Sequence, residues 1–304
     1  MSSTSSRPGS GPARPSAPPS TTAMAIIPPA PGRGATLKRY LRSRRLVVGL
    51  TVTALITLLA IVGPWLAPYG ENEIVGKPFT PFGLFGTDYL GQDVFSRVLA
   101  GGRSILLTSL VATIIGMVVG ILVGVVAAYA GGWLDEALMR LNDIALAFPQ
   151  ILLALLVLAA ITEPTWWIIA LLVGVSHAPR VARVARGVAL GIVPRDFVTA
   201  AEALGESRMR VILAEVLPNM NAPLLAEAGL RLTYSIGMVA GIGFLGFSTN
   251  PGAADWGQMI NENRLALLVQ PWAVILPVIV IGIFTIGTNL LADGVTQVAG
   301  DGGD

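Results

Sequence analysis

Long apolar runs alternate with short polar breaks along most of this chain. Six stretches rich in Leu, Val, Ile, Ala and Gly recur, at about 46–67, 104–129, 144–161, 166–186, 222–245 and 272–292. A helix that crosses a bilayer needs about 20 mostly apolar residues. The pattern therefore predicts an all-α integral membrane protein with six transmembrane helices. The third and fourth runs are separated only by Thr162-Glu163-Pro164-Thr165. The fourth is the weakest, because its apolar run stops near Val175 and arginines follow.

Two polar stretches carry helical patterns of their own. In 194–221, Pro194 cannot continue a helix from before it, and Asp196 suits an N-cap. A short helix over 197–204 would place Val198, Ala201 and Leu204 or Ala203 on one face, with Thr199, Glu202 and Glu206 elsewhere. Gly205 permits a sharp turn. A second helix over Arg208–Val216 should stop at Pro218. Such a hairpin fits a groove on a partner protein, and it equally fits the lipid surface. In Gln92–Leu99, Val94, Phe95, Val98 and Leu99 form an apolar face, with Asp93 and Arg97 spaced to pair at i, i+4. That segment is expected to lie along the membrane surface.

Composition narrows the classes. The 304 residues are 53% hydrophobic and 12% charged, about half the charged content of soluble domains. With no cysteine and His177 as the one histidine, disulfides, thiolate chemistry and a histidine-rich metal site are excluded. A net charge of +2 does not suit a nucleic-acid binder, and no P-loop motif occurs. Gly241–Gly246 matches G-x-G-x-x-G, but it lies in an apolar span with no strand before it, so it is not a nucleotide fingerprint.

Basic residues set the orientation. Lys38, Arg39, Arg42, Arg44 and Arg45 precede the first span, and Arg180, Arg183, Arg186, Arg195, Arg208 and Arg210 lie in or beside 187–221. The segments 68–103 and 246–271 hold only Lys77, Arg97, Arg103 and Arg264. Both termini and the 187–221 segment are thus expected in the cytoplasm of a multi-pass plasma-membrane protein. Residues 1–37, rich in Ser, Pro, Gly, Ala and Thr, bury too little to order themselves and read as a disordered tail rather than a signal peptide. The expected divisions are this tail, 38–103 with the first span and an outer segment, a core over 104–293, and a C-terminal tail over 294–304.

Within the spans, Gly116, Gly120 and Gly124 recur at i, i+4, as do Gly237 and Gly241. Small residues so spaced allow close helix approach in lipid. Polar residues inside spans are costly and so mark a pathway or helix contacts. The candidates are Asn142, Asp143 and Gln150 in the third span and the Glu227–Arg231 pair in the fifth. Thr285, Thr288 and Asn289, on one face of the sixth, complete the set. Pro277 is expected to kink the sixth span. Arg180, Arg183 and Arg186, every three residues, read as lipid-headgroup anchors, and His177 as a structural hydrogen-bonder. No metal site is assigned.

Five stretches together resemble a known family. Phe197–Pro223, FVTAAEALGESRMRVILAEVLPNMNAP, has the order Ala200-Ala201, Gly205 and Leu217-Pro218-Asn219. It resembles the "EAA" loop of ABC importer permeases. Gly86–Leu106, Arg140–Leu155 and the AGIGFLGF and ADWGQMI segments (Ala240–Phe247, Ala253–Ile260) resemble the C-type permease subunit of dipeptide, oligopeptide and nickel importers. The resemblance covers most of 40–293. It implies a type I ABC importer permease fold with no catalytic residues of its own. The implied partners are a homologous second permease, two cytoplasmic ATPases that use ATP and Mg, an extracytoplasmic solute-binding protein and membrane lipid. It also implies ATPase coupling through Thr199, Ala200, Ala201, Glu202, Ala203, Leu204, Gly205, Arg208, Leu217 and Pro218. The expected substrate is a di- or oligopeptide, with nickel chelates or another small solute as the alternative. Gln92, Glu202, Glu215, Val239 and the C-terminal end depart from the family pattern. An ion-coupled secondary transporter would favour inverted repeats, which are not evident.

Overall fold

A computed structural model describes residues 43–162, 164–247 and 253–300. The N-terminal tail and both termini lie outside them. The regular structure of the described residues is helical, apart from isolated bridges that tie 74 to 92 and 87 to 93.

Helix α1 runs over Arg44–Leu66, capped by the Ser43 hydroxyl. After an extended outer segment come α2 (Val94–Ala100) and α3 (Gly102–Ala130), which meet at Gly101 and together make one long apolar element, Val94–Ala130. Next are α4 (Gly132–Ala147), α5 (Gln150–Ala159) and α6 (Trp166–Leu190). The polar hairpin contributes α7 (Asp196–Ala203) and α8 (Arg208–Val211). The chain ends with α9 (Asn221–Phe244), α10 (Trp256–Asn263) and α11 (Trp272–Gly300).

Among the described residues, four elements are long and apolar enough to cross a membrane: α1, α2–α3, α6 and α11. The third expected span takes a different form. It is broken into α4 and α5, bent by 77° across the break. Pro149 at the break cannot donate to a continuing helix. The fifth span is α9, 24 residues long. Its apolar run is interrupted by Glu227 and Arg231, which approach within 2.8 Å and are both buried. Counting the bent pair as one crossing and α9 as another gives the expected six.

Helix α3 packs along α6 through glycine. A Cβ added at Gly116 would lie 2.8 Å from the Gly174 carbonyl oxygen, and one at Gly120 would lie 2.7 Å from that of Ala178. Gly124 approaches Ala182 in the same way. The stripe is thus a helix-packing seam. The Gly237/Gly241 pair does not repeat it: a Cβ at Gly237 would meet nothing within 4 Å, and at Gly241 only the Ile151 side chain. A second seam joins α1 to α11, where Gly49, Gly287 and Gly294 lie against Leu291, Val52 and Leu46. Pro277 sits inside α11 without ending it.

The outer segment differs from a helix resting on lipid. The Asp93–Arg97 pair does not form. Asp93 instead caps α2, accepting from the Ser96 amide at 2.9 Å. Arg97, 2% exposed, turns the other way. It is bonded to the buried Asp88 and, at 3.1 Å, to Glu262 of α10. The Tyr89 amide donates to Asn263, and Trp256 Nε1 to the Val98 carbonyl at 2.7 Å. Burial of an arginine is tolerable only with such a matched carboxylate set. These contacts lock 86–101 onto α10 and close that end of the bundle. Asp255 caps α10 through the Gly257 and Gln258 amides. Burial pushes its carboxyl above the ordinary range, against the lowering effect of hydrogen bonds from those amides and from Ser104.

Candidate functional site: a polar hairpin and a cavity in the bundle

The hairpin begins at α7. Arg195, not Asp196, occupies the N-cap position, and Asp196 is the first helical residue. Val198 is fully buried, and Ala201 is half-buried beside it. The expected apolar face ends there. Leu204 is 84% exposed, and Ala203 is exposed too, because the last turn of α7 runs past the bundle. Gly205 then turns the chain with φ +84°, a region that side chains resist.

The second arm does not stop at Pro218. α8 passes into a π turn over Ile212–Val216, a 3₁₀ turn over Leu217–Met220, and then α9. Pro218 lies at the start of the 3₁₀ turn. The change of winding accommodates the missing donor without breaking the rod. The hairpin is therefore continuous with a membrane helix.

Its inner side is anchored. Val198, Val211, Val216 and Met220 are buried against Val125 and Ala128 of α3 and against Val181, Ala185 and Ala189 of α6. The Tyr129 hydroxyl donates to Glu202. The outer side carries Thr199, Ala200, Ala203, Leu204, Gly205, Arg208 and Pro218, all exposed. Leu217 is half-buried against the bundle's own core and faces away from this surface. Sequence reasoning missed Met209 and Leu213, exposed at 66% and 57%. Their i, i+4 spacing beyond Leu204 was the available signal.

A cavity of about 520 Å³ opens in the bundle beyond the hairpin. It is lined by Gln150, Ile151, His177, Leu230, Thr233, Tyr234, Gly237, Met238, Thr285 and Asn289. Of the expected pathway residues, Gln150, Thr285 and Asn289 meet there. Thr288 does not share their exposure. It is buried, with its hydroxyl donating to the Phe284 or Thr285 carbonyl and 3.1 Å from Thr233 Oγ1. Asn142 donates to the Pro179 carbonyl, and Asp143 pairs with Arg183 at 2.8 Å. Both serve the α4–α6 contact. Glu227 and Arg231 stand behind the lining, with Arg231 over the Tyr234 ring at 4.9 Å. Arg186 is also paired, in a fork with Asp135 at 2.5 and 2.6 Å. Arg183 and Arg186 therefore tie α6 to α4. Arg180 stays exposed and has no ion-pair partner among the described residues.

Long apolar helices around a mostly apolar cavity that holds a few polar groups, with a helical hairpin projecting from one end, define a membrane transport subunit. The family model described as "Binding-protein-dependent transport system inner membrane component" matches residues 116–299, and the chain belongs to this family. The N-terminal transmembrane domain of oligopeptide transport permease C matches residues 33–81.

A dipeptide transport system permease protein, DppC, of Alkalihalophilus pseudofirmus is 30% identical over 84% of this chain and 86% of its own length. A putative peptide transport system permease protein of Brucella suis is 34% identical over 86% and 90%. The glutathione transport system permease protein GsiD of Escherichia coli is 32% identical over 90% and 92%. Among solved structures, an inward-facing MetNI methionine ABC transporter superposes with a TM-score of 0.51, at 20% identity, over 66% of this chain and 96% of that one. It shares the fold.

The chain is thus a multi-pass inner-membrane permease of an ABC importer, non-catalytic in itself. ATPase and binding-protein subunits are its partners in the transporter.

Proposed function

We propose that this chain forms one half of the pathway by which a bacterial importer takes up di- and oligopeptides, and that residues 194–221 couple it to the ATPases. The observation that carries the reading is the hairpin. One side exposes Leu204, Met209 and Leu213 for a partner, and the other is packed on α3 and α6. A push on the outer side is transmitted to two helices of the bundle and, through the unbroken rod, to α9. α9 supplies Leu230, Thr233, Tyr234, Gly237 and Met238 to the cavity. In this reading two ATPases bind ATP and Mg, a homologous permease completes the cavity, and a solute-binding protein delivers the peptide outside. Short peptides, with a polar backbone and varied side chains, suit a mostly apolar chamber of this size that holds a few polar groups, and the relatives' names point to the same class.

The hairpin end would face the cytoplasm. A cysteine at Asn72, in the outer segment, should react with a membrane-impermeant thiol reagent in intact cells, whereas cysteines at Ser5 and Glu206 should not. Labelling of Glu206→Cys from outside would invert the orientation. The transport reading itself is tested in vesicles holding the full complex. Labelled dipeptide should accumulate only with ATP inside the ATPase-accessible compartment and with the binding protein on the other side. Uptake driven by an ion gradient without ATP would replace the reading with a secondary transporter.

A further inference from the structure

Beside the cavity stand positive charge and unused hydrogen-bonding capacity that packing does not explain. His177 lines the cavity, is 1% exposed, and has no hydrogen-bond partner for either ring nitrogen. Buried polar groups without partners are costly and rare. Nothing in α3 supplies a partner. The neighbouring group there is Gly116, whose added Cβ would meet His177 Cβ at 3.0 Å. Arg231 Nη1 is also buried and unpartnered, and its guanidinium lies over Tyr234, a lining residue. Glu227 approaches Arg231 but without hydrogen-bond alignment. Arg180, one helical turn from His177 on α6, has no acidic partner, whereas Arg183 and Arg186 both do. The charges of Arg180 and Arg231 both reach His177, and Arg180 reaches Arg231. Glu227 offsets Arg231, so Arg180 leaves the cluster net positive.

The other polar groups of the lining, Gln150, Thr233, Thr285 and Asn289, are uncharged, and Ile151, Leu230 and Met238 are apolar. Gln150 Nε2 is already committed to the Ser176 carbonyl. An anion entering the cavity would therefore meet a single positive region, on the α6–α9 side, with an unsatisfied imidazole in front of it.

We infer that this wall is a carboxylate subsite. A passing solute would place a carboxylate against His177, with Arg180 and Arg231 supplying the charge, and Arg180 would set the preference for carboxylate-bearing over amidated substrates. The inference rests on the cavity being the peptide pathway, and two arms separate the two ideas.

The first arm needs no substrate. The chain has no native cysteine, and Gly237 lines the cavity with open space for a side chain. In the purified, assembled transporter, Gly237→Cys should react faster with an anionic than with a cationic methanethiosulfonate of similar size. Relative to a free thiol the bias should be about tenfold, the lower range for focused fields in clefts. Modification of this chain is read by intact mass. Arg180→Gln in the same background should remove most of the bias. Arg180 is exposed, so this change leaves packing alone. No bias, or a bias untouched by Arg180→Gln, overturns the subsite.

The second arm compares import of trialanine with import of its C-terminal amide. Arg180→Gln should lower trialanine uptake about tenfold through KM and change amide uptake little. His177→Leu should act in the same direction. An equal fall for both probes overturns carboxylate recognition and makes these residues structural. If the labelling bias is present and the wild type imports neither probe, the anion-favouring cavity stands and the peptide reading fails.

Discussion

Gly205→Arg should leave a stable permease that no longer retains its ATPases or imports. The chain turns at Gly205 with φ +84°. A Cβ there would meet nothing within 4 Å among the described residues, so the bundle gives no steric objection at the first side-chain atom. The first cost is backbone strain, on the order of 1–3 kcal/mol for a non-glycine residue held in a sparsely populated region. The second arises only at the partner. A long cation placed beside Leu204, 84% exposed, would be buried without a counter-charge in the docked complex. Such charges cost about 2–5 kcal/mol at interfaces. A loss near the lower end weakens ATPase binding by about a hundredfold, since 1.4 kcal/mol is tenfold. Gly205→Ala supplies the strain without the charge, and because that strain is present before docking as well as after, ATPase binding should fall by about tenfold or less. The measurement is ATPase stoichiometry and substrate-stimulated hydrolysis in the purified complex. Normal values for Gly205→Arg would show that the hairpin tip is not the docking surface.

Gly120→Leu should prevent the bundle from forming. Its Cβ would fall 2.7 Å from the Ala178 carbonyl oxygen and against Val181, so α3 and α6 would have to separate. Overpacking commonly costs about 1–3 kcal/mol where side chains can yield. Here the obstacle includes backbone, and the penalty should reach about 3 kcal/mol or more. These two helices also anchor the hairpin through Val125, Ala128, Val181 and Ala185, so coupling would be lost with them. Solubilised yield and the melting temperature of the purified complex give the readout. Gly237→Ala, which adds a methyl to open space, is the paired control and should melt like the wild type. A Gly120→Leu protein with unchanged melting would mean that α3 and α6 are less closely packed than they stand here.

Residues with one dominant environment were legible without coordinates. Bilayer thickness imposes a length on apolar runs, and hydrophobicity has no competing use there, so α1, α3, α6 and α11 followed from the pattern alone. Gly116, Gly120 and Gly124 were readable as a seam because lipid leaves close approach as the main role of small residues at that spacing. The EAA-like segment and its glycine turn came from order and spacing, and Gly205 does turn the chain with a positive φ.

Partner choice among charged residues needed the fold. Spacing offered Asp93 to Arg97, but burial favoured Asp88 and Glu262, and Glu262 lies 165 residues away in sequence. Arg183 and Arg186 looked like headgroup anchors because Asp143 and Asp135 are distant along the chain, and the α4–α6 contact brought them within 2.8 and 2.5 Å. Pro218 looked like a helix stop because local rules carry no term for a π turn relieving the missing donor. The cavity is the fullest case. Gln150, His177, Thr233, Thr285 and Asn289 come from four helices, and periodicity reports only which face of its own helix a residue occupies. Local chemistry along the chain thus determined that this protein spans a membrane, turns at Gly205 and seams α3 to α6. Which polar groups meet, and which of them remain unpaired around the cavity, was decided by tertiary packing, because only there do distant residues compete for the same burial.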